Sequence, residues 1–408
     1  MPRTPRVGYE NAVSHVMARG NRREAIVLDD GDRNSRGHNS RGQVIFPKIR
    51  PCQRLFTRAV LRVMRQARIR GEGLSYYHCL SRVVDRRFIF GDEEREFAVA
   101  LMGKLEAFLG LRVVTYAVMS NHFHVLVEEP DRDQLPPLDR ETLLRRLGFL
   151  YDGFTVESVR QELERAAATG SGVWEAEILA RYQRRMGDVS IFMKEFKQRF
   201  TQWYNRRNGR KGTLWEERFK SLLVEGDEKA LMTVAAYIDL NAVRAGMVER
   251  AEDYRWCGYA SAVAGNRWAR EGLGRILRHS SQVSGEDWER EWEATAPIYR
   301  LWLYDQGEAP EVEHDEGGIG PVRRGFRSAE VEAERARAGK LPLRQVIRLR
   351  VRYLTDGAVL GAAAFVEKVF ARHRERFGLK RRTGARPMEE ADWEGLCVLR
   401  ALKRDRIG

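Results

Sequence analysis

The chain has 408 residues, enough for two or three domains, and its 43% of hydrophobic residues is ordinary for a globular protein with a real core. Lys and Arg total 72 against 58 Asp and Glu, which gives a formal net charge of +14. No run of 18 apolar residues exists and the N-terminus lacks the apolar centre of a signal peptide, so we expect neither a membrane span nor a secretory leader. The positive charge favours a polyanionic partner, although a merely solvated cationic surface would give the same balance.

The four cysteines lie singly and far apart, at Cys52, Cys79, Cys257 and Cys397. Since none forms a CxxC pair, the sequence indicates neither a disulfide framework nor a zinc knuckle. We therefore expect a cytoplasmic protein with no membrane partner.

Residues 1–72 differ in composition from the rest. Residues 32–43 are polar and contain the tandem repeat Asn-Ser-Arg-Gly at 34 and 39, which predicts a flexible linker. Residues 54–70 predict a basic helix. We expect these 72 residues to form a region of their own.

From Leu74 onward a regular pattern predicts a single domain over residues 73–265, which is large enough to be a catalytic domain. The predicted elements are, in chain order, a strand over 74–84, a helix over 94–109, strands over 112–118 and 122–128, a charged helical insertion over 130–188, a helix over 191–207, a strand over 219–225 and a helix over 227–245. This βαββαβ order predicts an α+β fold, a ferredoxin-like antiparallel sheet with helices on one face.

Residues 280–408 predict a separate, mostly helical C-terminal module. Two basic clusters, 344–352 and 372–386, flank a short apolar stretch at 357–361. We expect a helix-turn-helix-like DNA-binding element here, although a solvated helical tail fits the pattern almost as well.

The sharpest local motif is His122-Phe123-His124 at the start of a predicted strand. Residues two apart on a strand point to the same face, so both imidazoles can reach one metal ion. The alternative is a pair of partly exposed strand histidines with no ligand.

A second motif lies on the predicted helix 227–245, where Asn241 follows Tyr237 by one turn. The two side chains stack on the flank of the apolar stripe, where they could face a metal held on the sheet. A half-buried Tyr next to an amide is the commoner reading of such a pair. With the two histidines, however, these groups suffice for phosphodiester transfer: a cation polarises the phosphate and the phenol attacks it. Two imidazoles and an amide oxygen suit Mg²⁺ or Mn²⁺ better than zinc.

Residues 203–220 interleave basic and aromatic side chains with two glycines. Such a loop can bind phosphates through Arg and Lys while an aromatic ring stacks on an unpaired base, although a charged loop beside core aromatics would look similar. The candidate DNA-binding residues are Arg206, Arg207, Arg210, Lys211, Trp215, Arg218 and Lys220.

Residues 76–265 resemble the REP-associated tyrosine transposases, a family of HUH single-strand endonucleases. Four blocks carry the resemblance: Tyr77-His78-Cys79-Leu80-Ser81-Arg82, Met119-Ser120-Asn121-His122-Phe123-His124-Val125-Leu126-Val127, Gly212-Thr213-Leu214-Trp215-Glu216-Glu217-Arg218-Phe219-Lys220-Ser221 and Tyr237-Ile238-Asp239-Leu240-Asn241-Ala242-Val243-Arg244-Ala245-Gly246.

The resemblance implies that His122 and His124 bind the metal ion, that Tyr237 is the nucleophile and that Asn241 supplies a third ligand. It also implies cleavage and rejoining of hairpin-forming single-stranded DNA through a 5'-phosphotyrosine, with a homodimer in some relatives. The chain departs from the family at Ala242, where relatives usually have Pro, and in the long insertion at 130–188. Residues 14–23 repeat the family's opening strand a second time, which predicts a partial duplicate.

Two other functions stay open. A domesticated or inactive copy would bind nucleic acid without cutting it, and the unusual N-terminus motivates this alternative. An ordinary metallohydrolase built on the histidine pair would need further His, Asp or Glu ligands on later strands, and the sequence offers no such series.

Overall fold

The computed structural model describes residues 68–277, 288–304, 343–348, 350–389 and 391–400. The predicted linker at 32–43, the repeated strand at 14–23 and most of the predicted basic helix lie outside the described residues.

The predicted core elements form in the predicted order. They are β1 Ser75–Arg82, α1 Asp92–Leu109, β2 Arg112–Val118, β3 His122–Glu129, α2 Arg140–Leu150, α3 Gly153–Ala168, α4 Val173–Gln183, α5 Val189–Arg207, β4 Lys220–Val224 and α6 Glu228–Asp239. Local signals set their ends. Helix α1 stops at Gly110, whose φ of 71° suits glycine, and α6 begins after Asp227, whose carboxylate accepts hydrogen bonds from two N–H groups of the first turn.

The later elements are mostly short. They are α7 Asn241–Arg244, α8 Gly258–Val263, α9 Arg267–Gly274, α10 Trp288–Tyr304, α11 Leu343–Val346, α12 Arg352–Asp356, β5 Val359–Ala362, α13 Ala363–Arg372, β6 Arg386–Pro387 and β7 Leu396–Val398. Among these described elements helices outnumber strands, as predicted for this part of the chain.

The first four strands pair in the order β2-β3-β1-β4, and every neighbouring pair among them is antiparallel. This is the arrangement that a βαββαβ chain reaches when its two helices cross on one face. The predicted α+β class is confirmed.

One face of the sheet is covered by α1 and α5, and the insertion helix α2 packs on α1. The core between them is rich in aromatic rings. Phe123 of β3 lies 4.7 Å, centroid to centroid, from Phe196 of α5, and Phe196 and Phe200 are stacked. The insertion therefore adds a layer to the outer side of this helical face.

The opposite face is covered too, by α6 and by the helices that follow it, and thus the helices lie on both faces rather than on the one predicted. The physical reason is that the alternate strand positions are also apolar. Tyr76, Leu126 and Leu222 are buried on this side and need a partner layer.

The C-terminal region extends the same sheet. Strand β5 pairs in parallel with β4, and β7 and β6 follow, so the sheet has seven strands in the order β2-β3-β1-β4-β5-β7-β6. The apolar stretch at 357–361 was predicted as part of a helix-turn-helix. Its last three residues instead belong to β5, in which Val359 and Leu360 are buried between neighbouring strands. The predicted boundary near residue 280 therefore separates elements that share one sheet.

Within the described part of the chain, no helix combines the length and apolarity that a membrane span requires.

Candidate functional site

A cavity of about 430 Å³ opens between the ends of β1 and β3, helix α6 and the C-terminal segment. The four residues that the sequence predicts as metal ligands and nucleophile, His122, His124, Tyr237 and Asn241, all line it. The other lining residues are Arg82, Arg86, Met119, Asn121, Arg244, Ala245, Arg348, Arg350 and Thr355. The fold thus brings together groups that are more than 100 residues apart in the chain.

The register of β1 and β3 places the histidines on the cavity side. His122 lies opposite Arg82 and His124 lies opposite Leu80. Because side chains alternate along a strand, His78 of β1 shares that face with them. The rings of His122 and His124 are 5.2 Å apart, and the rings of His78 and His124 are stacked at 5.0 Å.

Tyr237 lies deeper in the fold than its predicted place on a helix flank. Every residue from Ala230 to Asp239 is buried, because α6 packs on β2 and β3 and against α10, in a core to which α8 and α9 also contribute. The Tyr237 side chain is 2% exposed, and its ring centroid lies 6.3 Å from that of His124 and 6.4 Å from that of His78. The ring lines the cavity.

Arg244 packs against the Tyr237 ring. Its guanidinium lies 3.8 Å from the centre of the Tyr237 ring, a cation–π contact. It also donates hydrogen bonds to the main-chain oxygens of Tyr237, at 2.6 Å, and Ile347, at 2.8 Å. Burial lowers the pKa of the Arg244 guanidinium. The candidate nucleophile therefore contacts a guanidinium and lies near two imidazoles.

A buried carboxylate anchors helix α6 below the site. Asp239 accepts hydrogen bonds from the Thr115 hydroxyl of β2 at 2.9 Å, from the main-chain N–H of Tyr259 at 3.1 Å and from the Tyr299 hydroxyl. Burial raises the pKa of Asp239 to about 6, although these donors stabilise its charged form. Asp239 thereby joins the helix that carries Tyr237 to β2, α8 and α10.

The hydrogen bonds around His122 fix where its proton lies. Asn121 donates from its amide nitrogen to the Arg86 carbonyl, so its amide oxygen faces His122, 2.6 Å from Nδ1. An amide oxygen only accepts, and so Nδ1 of His122 carries the proton. Burial, together with the positive charges of Arg82, Arg244 and Arg350, lowers the pKa of His122 to about 3. The ring is neutral at pH 7 and presents an Nε2 lone pair.

His124 contacts a second histidine, His78, over 2.8 Å between its Nδ1 and the Nε2 of His78. The Nδ1 of His78 lies 2.9 Å from the carbonyl oxygen of Leu354. Burial lowers the pKa of both rings, to about 4 for His78 and well below the ordinary value for His124. Neither imidazole carries a charge at neutral pH.

The chemistry of this donor set fits a divalent cation that also binds phosphate oxygen. His122 and His124 are neutral, as metal-ligating imidazoles must be. The Asn241 side chain is 9% exposed, and its amide nitrogen is buried without a hydrogen-bond partner among the described residues. Rotation of the side-chain amide by about 180° puts its oxygen, a suitable metal ligand, where the nitrogen lies. Across the described residues no three His, Cys, Asp or Glu side chains form a metal-ligand group.

The cavity has a strongly positive wall. Five of its lining residues are arginines and none of the described lining residues is Asp or Glu. Arginine binds phosphate oxygens in bidentate geometry, and a cavity without carboxylates leaves that charge for a ligand. The electrostatics therefore match a phosphodiester.

The candidate DNA-binding residues of the 206–220 segment lie outside this cavity but beside it. The main chain of Leu214 and Glu216 hydrogen-bonds to Val84 and Arg82, at the end of β1. Two of the basic side chains are engaged in ion pairs: Arg207 with Glu93, and Lys220 with Asp356 at 2.8 Å. Arg206 lines a second cavity of about 420 Å³, between α1, α5 and the insertion. Arg210, Lys211 and Arg218 lie on the loop between α5 and β4.

Trp215 is a core residue, which the sequence pattern did not reveal. It is 7% exposed, lies 5.6 Å from the Phe123 ring, and donates from Nε1 to the Thr201 hydroxyl at 2.9 Å. Stacking on a base requires an open ring face, and the faces of Trp215 are covered by its neighbours. We therefore leave Trp215 out of the proposed DNA contacts.

Sequence reasoning missed several residues that line or support the site. The two-residue period of strands could have predicted that His78 shares a face with His122 and His124. Only the fold shows its contact with His124. Arg82 and Arg244 stand in the matching sequence blocks without a predicted role. Arg348 and Arg350 belong to a segment that nothing in the sequence connects with the site.

Comparisons with known proteins add only a distant likeness. No family model matches the chain, and no curated protein matches it. Among the solved structures that match is one titled "Structure of the REP associates tyrosine transposase bound to a REP hairpin", which shares 14% sequence identity over 50% of this chain and 87% of that chain, with a TM-score of 0.31. So distant a likeness leaves the function to be argued from the side chains of this chain.

Proposed function

We propose that this protein is a transposase-type endonuclease that cleaves and rejoins single-stranded DNA, with Tyr237 as its nucleophile. The observation that carries the proposal is the cavity itself, in which Tyr237, His122, His124 and Asn241 meet beneath a wall of five arginines. The burial of Tyr237 fits a strand that can be drawn into a cavity better than an intact duplex.

In the proposed reaction the Tyr237 hydroxyl oxygen attacks the phosphorus of the scissile linkage. The bond from phosphorus to the 3' oxygen breaks, the phenolic proton ends on that leaving oxygen, and the 5' phosphate stays on the tyrosine. Attack by a 3' hydroxyl reverses the step and needs no ATP, because the number of phosphoester bonds is unchanged.

The surrounding side chains prepare this step. Arg244 fixes the phenol ring, and the arginines of the wall neutralise charge on the phosphate oxygens. His122, His124 and Asn241 would hold Mg²⁺ or Mn²⁺, which when bound supplies polarisation of the scissile phosphate. The end of α5, the loop after it and the start of β4, which carry Arg206, Arg207, Arg210, Lys211, Arg218 and Lys220, would bind the adjoining backbone.

The substrate we propose is a hairpin-forming single strand, on the strength of the sequence blocks. The buried free thiols of Cys79, Cys257 and Cys397 fit the reducing cytoplasm that the sequence predicts. We also propose a homodimer, which in sedimentation analysis would have about twice the chain mass of 47.2 kDa.

The test is capture of the covalent adduct. A library of hairpin oligonucleotides is labelled at the 3' end, incubated with the protein and Mg²⁺ or Mn²⁺, and analysed under denaturing conditions. We expect a labelled protein band, whereas the same library labelled at the 5' end should release only short free fragments. Tyr237→Phe should abolish the band.

Tyr204→Phe is the matched control, because Tyr204 is the other tyrosine near the basic loop and its ring stacks on Phe200 in the core. It should form the adduct as the wild type does. An adduct that survives in Tyr237→Phe and disappears in Tyr204→Phe would refute the assignment of the nucleophile.

A second candidate is a nucleic-acid-binding protein that has lost catalysis. The burial of the Tyr237 ring against Arg244 favours this alternative, because a phenol held in this way cannot move toward a substrate and reacts only if the strand enters the cavity. This alternative predicts tight, strongly salt-dependent binding of the same library with no adduct in either metal.

A further inference from the structure

The C-terminal segment reaches the centre of the site although it lies far away in sequence. Leu354 belongs to the short helix α12 and stands 276 positions after His78, yet its carbonyl oxygen is 2.9 Å from Nδ1 of that histidine. Helix α12 packs on β4, next to β1, and so the contact follows from the extended sheet.

The direction of each hydrogen bond in this chain of contacts follows from elementary chemistry. A carbonyl oxygen only accepts, so the proton of His78 lies on Nδ1. His78 is 2% exposed and touches no carboxylate among the described residues, so the ring is neutral and its Nε2 is an acceptor. The 2.8 Å contact is therefore donated by Nδ1–H of His124.

The consequence for His124 is a fixed tautomer. A neutral imidazole has one proton, and when Nδ1 holds it the lone pair lies on Nε2. The opposite tautomer would direct an N–H group at the cavity and could not bind a cation. Donation of the second ring nitrogen to a neighbouring acceptor is the usual way in which a protein orients a metal-binding histidine.

The same segment also supports the other half of the site. The carbonyl oxygen of Ile347 accepts from Nη1 of Arg244 at 2.8 Å, and Arg244 lies against the Tyr237 ring. Two main-chain carbonyls of the C-terminal segment thus orient the partners of His124 and of Tyr237.

We propose that His78 is a positioning residue, which transmits the hydrogen bond of the Leu354 carbonyl to His124 and holds His124 in the tautomer with a free Nε2. The C-terminal segment then contributes to the site, because its main-chain carbonyl groups orient His78 and Arg244. The inference rests on the proposed function, because that function gives the Nε2 of His124 its role.

The first test is spectroscopic and needs neither metal nor DNA. In the full-length, metal-free protein labelled with ¹⁵N-histidine, long-range ¹H–¹⁵N spectra report which nitrogen of each ring is protonated. We expect the proton of His124 on Nδ1. In His78→Phe it should move to Nε2, whereas His78→Gln, which keeps an oxygen acceptor, should retain the wild-type tautomer in part.

The second test measures Mn²⁺ affinity by calorimetry in the same proteins. His78→Phe should lose about 10- to 100-fold in affinity and His78→Gln less, as found for partners of metal-bound histidines. His373→Phe is the matched control, because its ring nitrogen also contacts a main-chain oxygen, that of Arg70, but lies outside the cavity. It should leave Mn²⁺ affinity unchanged.

A proton on Nε2 of His124 in the wild type would overturn the proposal, and so would unchanged Mn²⁺ affinity in His78→Phe. The wild-type spectrum decides the matter even if a variant fails to fold. Absence of a DNA adduct together with the expected tautomer would reject the proposed function alone.

Discussion

Residues at alternate positions of strands β1 and β3 lie on opposite faces of the sheet, and the two faces have different functions. On one face lie Tyr77, Phe123 and Val125, which pack against the aromatic side chains of α1 and α5. On the other lie His78, His122 and His124, which line or support a polar cavity. Neighbouring residues on one strand therefore belong to different environments.

The comparison shows how stability and chemistry can be combined in one short strand. On the face covered by α1 and α5, burial of large rings stabilises the strands through apolar contacts. The cavity face buries imidazoles and a guanidinium, and each must find a hydrogen-bond partner on another element. We expect substitutions at adjacent positions to act on different properties.

The largest effect we predict is on the face covered by α1 and α5. Phe123→Ala removes a fully buried ring that contacts Phe196 and Trp215, and the free energy of unfolding should fall by about 3–5 kcal/mol. Urea denaturation followed by fluorescence measures this loss.

The neighbouring substitution His122→Ala is the control for that comparison. His122 is only partly buried and bonds to Asn121, so its loss should change the free energy of unfolding by less than about 1 kcal/mol. It should nevertheless weaken Mn²⁺ binding. If both substitutions destabilise the protein equally, the division of labour between the two faces is wrong.

The sequence predicted the local elements well because their patterns are local. The boundaries of β2 and β3 follow from runs of β-branched and aromatic residues bounded by Gly110 and by the turn at Ser120-Asn121. The alternation within β3 also placed both imidazoles on one face, where the structure has them.

What the sequence left out depends on contacts between distant segments. Strand β5 has four residues and pairs with β4 across more than 130 positions, so no periodicity could signal it. The full burial of Tyr237 follows from helices that come later in the chain. Trp215 stands in a basic loop by sequence, and only the packing of α5 against the sheet shows that its ring is internal.

Trp215 offers a second, smaller test of the two faces. Trp215→Phe removes the hydrogen bonds from Nε1 to Thr201 and Lys197 and part of a buried ring, which should cost about 1–3 kcal/mol of unfolding free energy. Affinity for the hairpin library, measured by fluorescence anisotropy, should stay within about twofold of wild type, because no base reaches the ring.

Arg210→Ala in the same loop should behave in the opposite way. Its guanidinium lies 5.8 Å from the ring of Tyr204 at the exposed end of α5, so stability should hold while DNA affinity and its salt dependence decrease. Weaker DNA binding by Trp215→Phe, at unchanged stability, would return Trp215 to the interface.

The smallest predicted effect concerns the cavity face. Arg350 is exposed, lines the cavity and contributes to lowering the pKa of His122. Because water screens an exposed charge, Arg350→Ala should weaken binding of the hairpin library by only about two- to fivefold. If the guanidinium contacts a phosphate, the slope of log affinity against log salt should also fall by about 0.7. Arg160→Ala, an exposed arginine paired with Glu157 on the insertion, should change neither quantity, and an equal loss in both variants would mean that Arg350 acts only through net charge.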